Sequence, residues 1–145
     1  FAARMQERNI KPELECFDKS HIDMALRLVK QGHIDRPLHF NLVLGVNGGA
    51  AATPRDLLFM RHSLPADASF TVTAMGRQQL PLNVMAMAMG GHPRTGFEDN
   101  LQYSRRVNAT SNGELVARLV RIAKEMNLGI ASPDEAREML QLPAR

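Results

Sequence analysis

Short strand-like runs alternate with helix-like runs along the whole chain, and this alternation restricts the fold more than any other feature. Residues 10–17 (IKPELECF) set Leu14 and Cys16 against Glu13, Glu15 and Phe17, a strand pattern that ends at Asp18. A helix is expected from about Ser20 to Gln31, with Ile22, Ala25, Leu26 and Val29 on one stripe and Gly32 at its end. Residues 37–44 (PLHFNLVL) form a continuous apolar strand, and a helix starts at the Thr53-Pro54 cap and runs to about Ser63. Phe70 to Met75 is rich in β-branched residues and precedes an apolar helix, Gln78 to Met89, that closes on Gly90-Gly91. His92 to Phe97 is expected as a fourth strand. Glu114 to Met126 reads as an amphipathic helix, and Pro133 to Leu142 as a short last one capped by Ser132 with Glu135 in the capping-box position. The segment 1–9 resembles the tail of an amphipathic helix without a start signal, as if cut from something longer.

Strand–helix units joined by short connections imply a parallel sheet made by right-handed crossovers, so the expected fold class is α/β. At about 30 residues per unit, the rhythm fits half of an eight-unit barrel or a four-strand open sheet, and periodicity alone does not choose. With 145 residues, one domain is expected. The longest apolar stretches, Leu42 to Val46 and Val84 to Met89, fall far short of the roughly 18 residues a membrane helix needs, so no membrane partner is expected. The N-terminus lacks the apolar core of a signal peptide. A single cysteine, Cys16, forms no internal disulfide, which makes the cytoplasm the expected compartment. The 18 basic and 15 acidic residues are interspersed and the net charge is +3, so no nucleic-acid partner is expected.

Chemistry concentrates in a few places. Glu13 and Glu15 lie two apart on a strand that would otherwise be apolar, and so share one side of it; either a partner neutralises them or the strand is an edge in water. The segment 90–100 (GGHPRTGFEDN) crowds His92, Arg94, Glu98 and Asp99 together at the carboxyl end of a candidate strand, where α/β proteins build their sites. These side chains could supply a metal ligand, a base and an anion clamp, or form a solvated loop with a local salt bridge. Residues 45–49 (GVNGG) could bring backbone N–H groups to an anion but match no phosphate fingerprint, and a turn needing positive φ explains them more simply. His39 and Asn41 share one face of the second strand and read as hydrogen-bonded core residues. Met85, Met87 and Met89 read as core filler. No G-x-S-x-G elbow occurs and Cys16 lacks a basic neighbour, which disfavours a Ser or Cys nucleophile.

Four stretches taken in order, residues 11–18 (KPELECFD), 44–54 (LGVNGGAAATP), 76–81 (GRQQLP) and 90–100, together resemble the β-keto acid cleavage enzymes, over essentially the whole chain. The resemblance implies a zinc-dependent (β/α)8 TIM barrel, of which this chain would be the carboxyl-terminal half, strands five to eight. It also implies acyl exchange between a β-keto acid and acetyl-CoA, giving acetoacetate and a new CoA ester. Carried over by position, Glu98 resembles the carboxylate zinc ligand, and Arg94 and Asp99 the catalytic arginine and aspartate. Glu13 resembles the glutamate that faces the substrate, with Glu15 as the alternative. Asn47 and Arg77 are expected on the substrate side, Arg77 towards the CoA phosphates. The family's His-x-His zinc motif is absent, since His21, His33, His39, His62 and His92 are isolated, so two ligands are expected from an amino-terminal half. The resemblance further leads us to expect a homo-oligomer. A different expectation, a non-catalytic α/β fragment or assembly module without a complete metal site, fits the missing motif as well.

Overall fold

The structure, a computed structural model, describes residues 1–142. Capping side chains set where most helices begin. After a short helix α1 (Ala2–Glu7) and strand β1 (Leu14–Cys16), the Asp18 carboxylate accepts the Ser20 N–H at 2.9 Å and starts α2 (Lys19–Lys30). Strand β2 (His39–Leu44) leads to α3 (Pro54–His62), where Thr53 accepts the Asp56 N–H at 3.1 Å and Pro54 occupies the first turn. Strand β3 (Ser69–Ala74) leads through a 3-10 turn, Gly76–Gln78, into α4 (Gln79–Ala88). Strand β4 (His92–Pro93) is followed by a hairpin, β5 (Gln102–Ser104) and β6 (Val107–Asn108), and then by α5 (Asn112–Glu125) and α6 (Pro133–Met139). The capping box at Ser132 and Glu135 forms as expected.

One expectation is corrected and one element is unforeseen. The fourth strand ends at Pro93 rather than at Phe97: only His92 and Pro93 pair with β3, and one more ladder bond, Arg94 N–H to the Val72 carbonyl at 3.0 Å, precedes a turn in which the Gly96 carbonyl accepts both Asp99 and Asn100. The hairpin β5–β6 had no signal in the sequence, because strands of three and two residues are too short to display an alternation. The domain range 1–145 expected above ends on residues 143–145, which lie outside the described residues.

Strands β1 to β4 form one parallel sheet in sequence order, with Leu14, Phe40 and Phe70 in one row and Cys16, Leu42 and Val72 in another. Those side chains point to the helices: α2 packs on β1, α3 on β2, and α4 on β3 and β4. Because side chains alternate across a strand, the opposite face receives Glu15, His39, Asn41, Thr71 and Thr73. One face of the sheet is therefore an apolar core and the other is polar. Helix α5 packs on the outside of α4 through Leu119 and Ala123 against Met87. Among the described residues, no helix is long and apolar enough to cross a membrane.

Candidate functional site

The polar face carries two clusters, one at each end of the strands. At the carboxyl ends, Arg94 leaves β4 and its guanidinium meets three carboxylates. Its Nη2 donates to Glu98 Oε2 at 2.5 Å, its Nε lies 3.5 Å from Asp99 Oδ2, and its Nη1 lies 3.9 Å from Glu15 Oε1. Glu15 also receives a long contact, 3.5 Å, from the Asn41 side-chain amide, and the Asn41 oxygen accepts the Thr73 hydroxyl at 2.9 Å. The strands thus hand one side chain each into a continuous polar row.

Asp99 differs from the other carboxylates in its surroundings. Its side chain is 3% exposed against 79% for Glu98 and 48% for Glu15. Burial pushes the Asp99 carboxyl above its usual range; Arg94 opposes that shift, and the nearby Glu98 and Glu15 add to it. A carboxylate raised in this way, with a cation to orient it, has the properties of a general base. The loop that carries it is tied down along its length. The Asn83 amide donates to the Arg94 carbonyl at 2.7 Å, the Thr95 hydroxyl to Gln79 at 2.6 Å, the Phe97 N–H to Asn112 at 2.8 Å, and the Gly76 N–H to the Asp99 carbonyl at 2.8 Å.

At the amino ends of the strands, buried His39 uses both ring nitrogens, with Ser69 Oγ at 2.8 Å from Nδ1 and Thr71 Oγ1 at 3.0 Å from Nε2. Glu13 Oε1 is 3.7 Å from Nε2, and the His92 ring lies 6.2 Å away between centroids. Burial holds the His39 imidazole below its ordinary pKa, helped by His92 and Lys11, so the Glu13 contact is made to a neutral ring and is no ion pair at neutral pH.

The structure therefore brings Arg94, Asp99, Glu98 and Glu15 together, and sets Glu13 at the other cluster, beside His39. Glu13 and Glu15 do share one side of the chain, on a strand whose outer edge pairs with no other described strand. Asn47 is exposed in the loop after β2, in which Gly45 and Gly48 have φ of 91° and 86°, the turn requirement already favoured by sequence. Arg77 is exposed one residue after Gly76, and so lies beside the Asp99 loop. Sequence reasoning read Asn41 as core and overlooked Thr73, Gln79, Asn83 and Asn112. The spacing of Gln79 and Asn83, four apart in a helix of otherwise apolar character, was a usable signal.

Among the described residues, no group of three or more His, Cys, Asp or Glu side chains is placed to hold a metal ion. Glu98, exposed and held by Arg94, offers one donor, whereas a zinc site takes three or four protein ligands. These residues alone do not fit a zinc ion.

A sequence model described as "beta-keto acid cleavage enzyme" matches residues 1–142. The chain is 57% identical over 140 residues to a 3-keto-5-aminohexanoate cleavage enzyme of Acetoanaerobium sticklandii, covering 97% of this chain and 51% of that protein. It is 51% identical over 142 residues to the enzyme of the same name from Fusobacterium nucleatum subsp. nucleatum, covering 98% and 52%. A 3-oxoadipate:acetyl-CoA acetyltransferase of Cupriavidus necator is 36% identical over 146 residues, covering 99% and 51%. The chain spans about half the length of these curated relatives.

Proposed function

Because the chain belongs to the beta-keto acid cleavage enzyme family, we propose that it is the carboxyl-terminal half of a (β/α)8 barrel that exchanges acyl groups between a β-keto acid and acetyl-CoA. The fold part of this reading rests on the sheet. All-parallel sheets are covered on both faces, and here the helices cover one face while the other bears Glu15, Asn41 and Thr73 in a row, as the inside of a barrel would. The free, buried Cys16 suits a cytoplasmic enzyme.

The chemical part rests on Asp99. Carbon 2 of a β-keto acid lies between two carbonyl groups, so its proton is within reach of a carboxylate base. Asp99 takes that proton, and the enolate carbon bonds to the thioester carbon of acetyl-CoA as the CoA thiolate leaves. The thiolate then attacks the original keto carbon, the bond between carbons 2 and 3 breaks, and Asp99 returns the proton to the acetoacetate carbanion. Arg94 orients Asp99 throughout. Glu15 takes the substrate-facing role expected for Glu13, because it is Glu15 that reaches Arg94. Three carboxylates around one guanidinium leave excess negative charge, which suits a cationic group on the substrate; the relatives named for an aminohexanoate support a tail that carries an amine. Zinc, in this reading, takes Glu98 together with donors from outside the chain, and no step above is routed through it.

The single observation that carries the proposal is the burial of Asp99 against Arg94. The test is acetoacetate formation by the complete protein from a panel of β-keto acids with acetyl-CoA. Asp99→Asn is expected to lower kcat by about 10²–10⁴, the range of general-base catalysis. Turnover within a few-fold of the parent would remove Asp99 from the mechanism.

A further inference from the structure

The loop after β2 and the start of α5 hold the two places where an asparagine precedes a glycine, Asn47-Gly48 and Asn112-Gly113. This pairing has a chemistry of its own. A backbone nitrogen can attack the side-chain carbonyl carbon of the asparagine before it. Glycine, having no Cβ, neither shields its nitrogen nor restricts the backbone that must bend to bring the two atoms together. After every other asparagine of the chain stands Ile, Leu, Val or Ala, each with a side chain in the way.

The fold treats the two pairs differently. Both asparagines are exposed, so solvent access does not separate them. Asn47 and Gly48 form the tip of a turn that the Gly49 N–H closes on the Val46 carbonyl at 3.0 Å. Gly48 has φ of 86°, and among the described residues neither the Asn47 side chain nor the Gly48 N–H has a hydrogen-bond partner. Nothing described therefore holds the Asn47 carboxamide away from the Gly48 nitrogen. Asn112 is held twice. Its side-chain oxygen accepts the Phe97 N–H at 2.8 Å, and its backbone begins α5 behind the Ser111 cap, so reaction there requires the helix end to open first.

We propose that Asn47 is a site of spontaneous deamidation and that the fold protects Asn112 from the same reaction. The Gly48 nitrogen loses its proton to hydroxide and bonds to Asn47 Cγ; the Cγ–Nδ2 bond breaks and ammonia leaves with a proton from water, giving a cyclic succinimide. Water then opens the ring. Attack at Cγ breaks its bond to the Gly48 nitrogen and gives aspartate. Attack at the main-chain carbonyl carbon breaks that carbon's bond to the same nitrogen and gives isoaspartate, in which the chain runs through the former side chain. Either product puts a negative charge where the loop after β2 carried a neutral amide. The chemistry needs only water and is independent of the reaction proposed above.

The test ages the complete protein in mildly alkaline buffer, native and in urea, and then digests it. Peptides are read by mass for conversion of amide to acid, and isoaspartate by methyl transfer from labelled S-adenosylmethionine with purified isoaspartyl methyltransferase. In the native protein the Asn47 peptide is expected to convert about tenfold or more faster than the Asn112 peptide, because Asn112 must first give up a hydrogen bond and its helical turn. In urea the two rates are expected to converge, since the protection is lost with the fold. Asn47→Gln, whose longer side chain disfavours the same ring, is expected to remove isoaspartate from its own peptide while Asn112 keeps its rate. Equal native rates, a faster Asn112 or an Asn47 that stays an amide overturn the proposal. So does a gap that survives urea, which would place the cause in the neighbouring residues and not in the fold.

Discussion

His39 illustrates how one buried side chain couples the sheet to solution conditions. Glu13, His92 and Lys11 are the ionisable groups around it, and both of its nitrogens are already engaged by hydroxyls. Its folded pKa lies below the ordinary 6.5, so between the two values the unfolded chain binds more protons than the folded one. Stability should therefore be fully present above pH 6.5 and decline as the pH falls through that window. His39→Gln is expected to flatten the decline in urea midpoints measured across it; an unchanged slope would assign the acid sensitivity to another group. The site was partly legible at this scale. Arg94, Glu98 and Asp99 stood out because charged side chains cluster there among glycines. Glu13 and Glu15 did not separate by sequence, because a spacing of two places both on one side, and only the sheet register shows which end of the strand each occupies.

The main strand–helix order was readable because α2 and α5 carry apolar stripes and four helices have a capping side chain, at Asp18, Thr53, Ser111 and Ser132. What failed was length. The edge strands pair over only three and two residues, with Pro93 inside the pairing and the Arg94 N–H still bonded to β3 beyond it, and the hairpin turns at Arg106 in the left-handed region, φ 64°, without the glycine that would announce it. Between α4 and β4 a close approach is decisive: a Cβ at Gly91 would come within 2.3 Å of a ring carbon of Phe70, which is buried in the core. Gly91→Ala is expected to cost about 1–3 kcal/mol through overpacking, read as a lower urea midpoint with little change in m-value. A neutral result would mean that Phe70 can move aside.

As a whole, the chain displays a sheet with its helices on one face and polar side chains on the other, and among the described residues no group of side chains is placed to hold a metal ion. The 145 residues alone are accordingly expected to retain substoichiometric zinc after dialysis, and the complete protein to retain stoichiometric zinc that falls on Glu98→Gln. Stoichiometric metal on the isolated chain, measured by plasma emission, would mean that Glu98 finds its partners locally. The four ties on the Arg94–Asp99 segment, from Asn83, Gln79, Asn112 and Gly76, bear on traffic as well as on geometry. A loop pinned at four of its six residues is a fixture and not a door. Arg94 and Asp99 therefore meet whatever reaches them already in position, with no loop closure needed to bring the guanidinium and the carboxylate together.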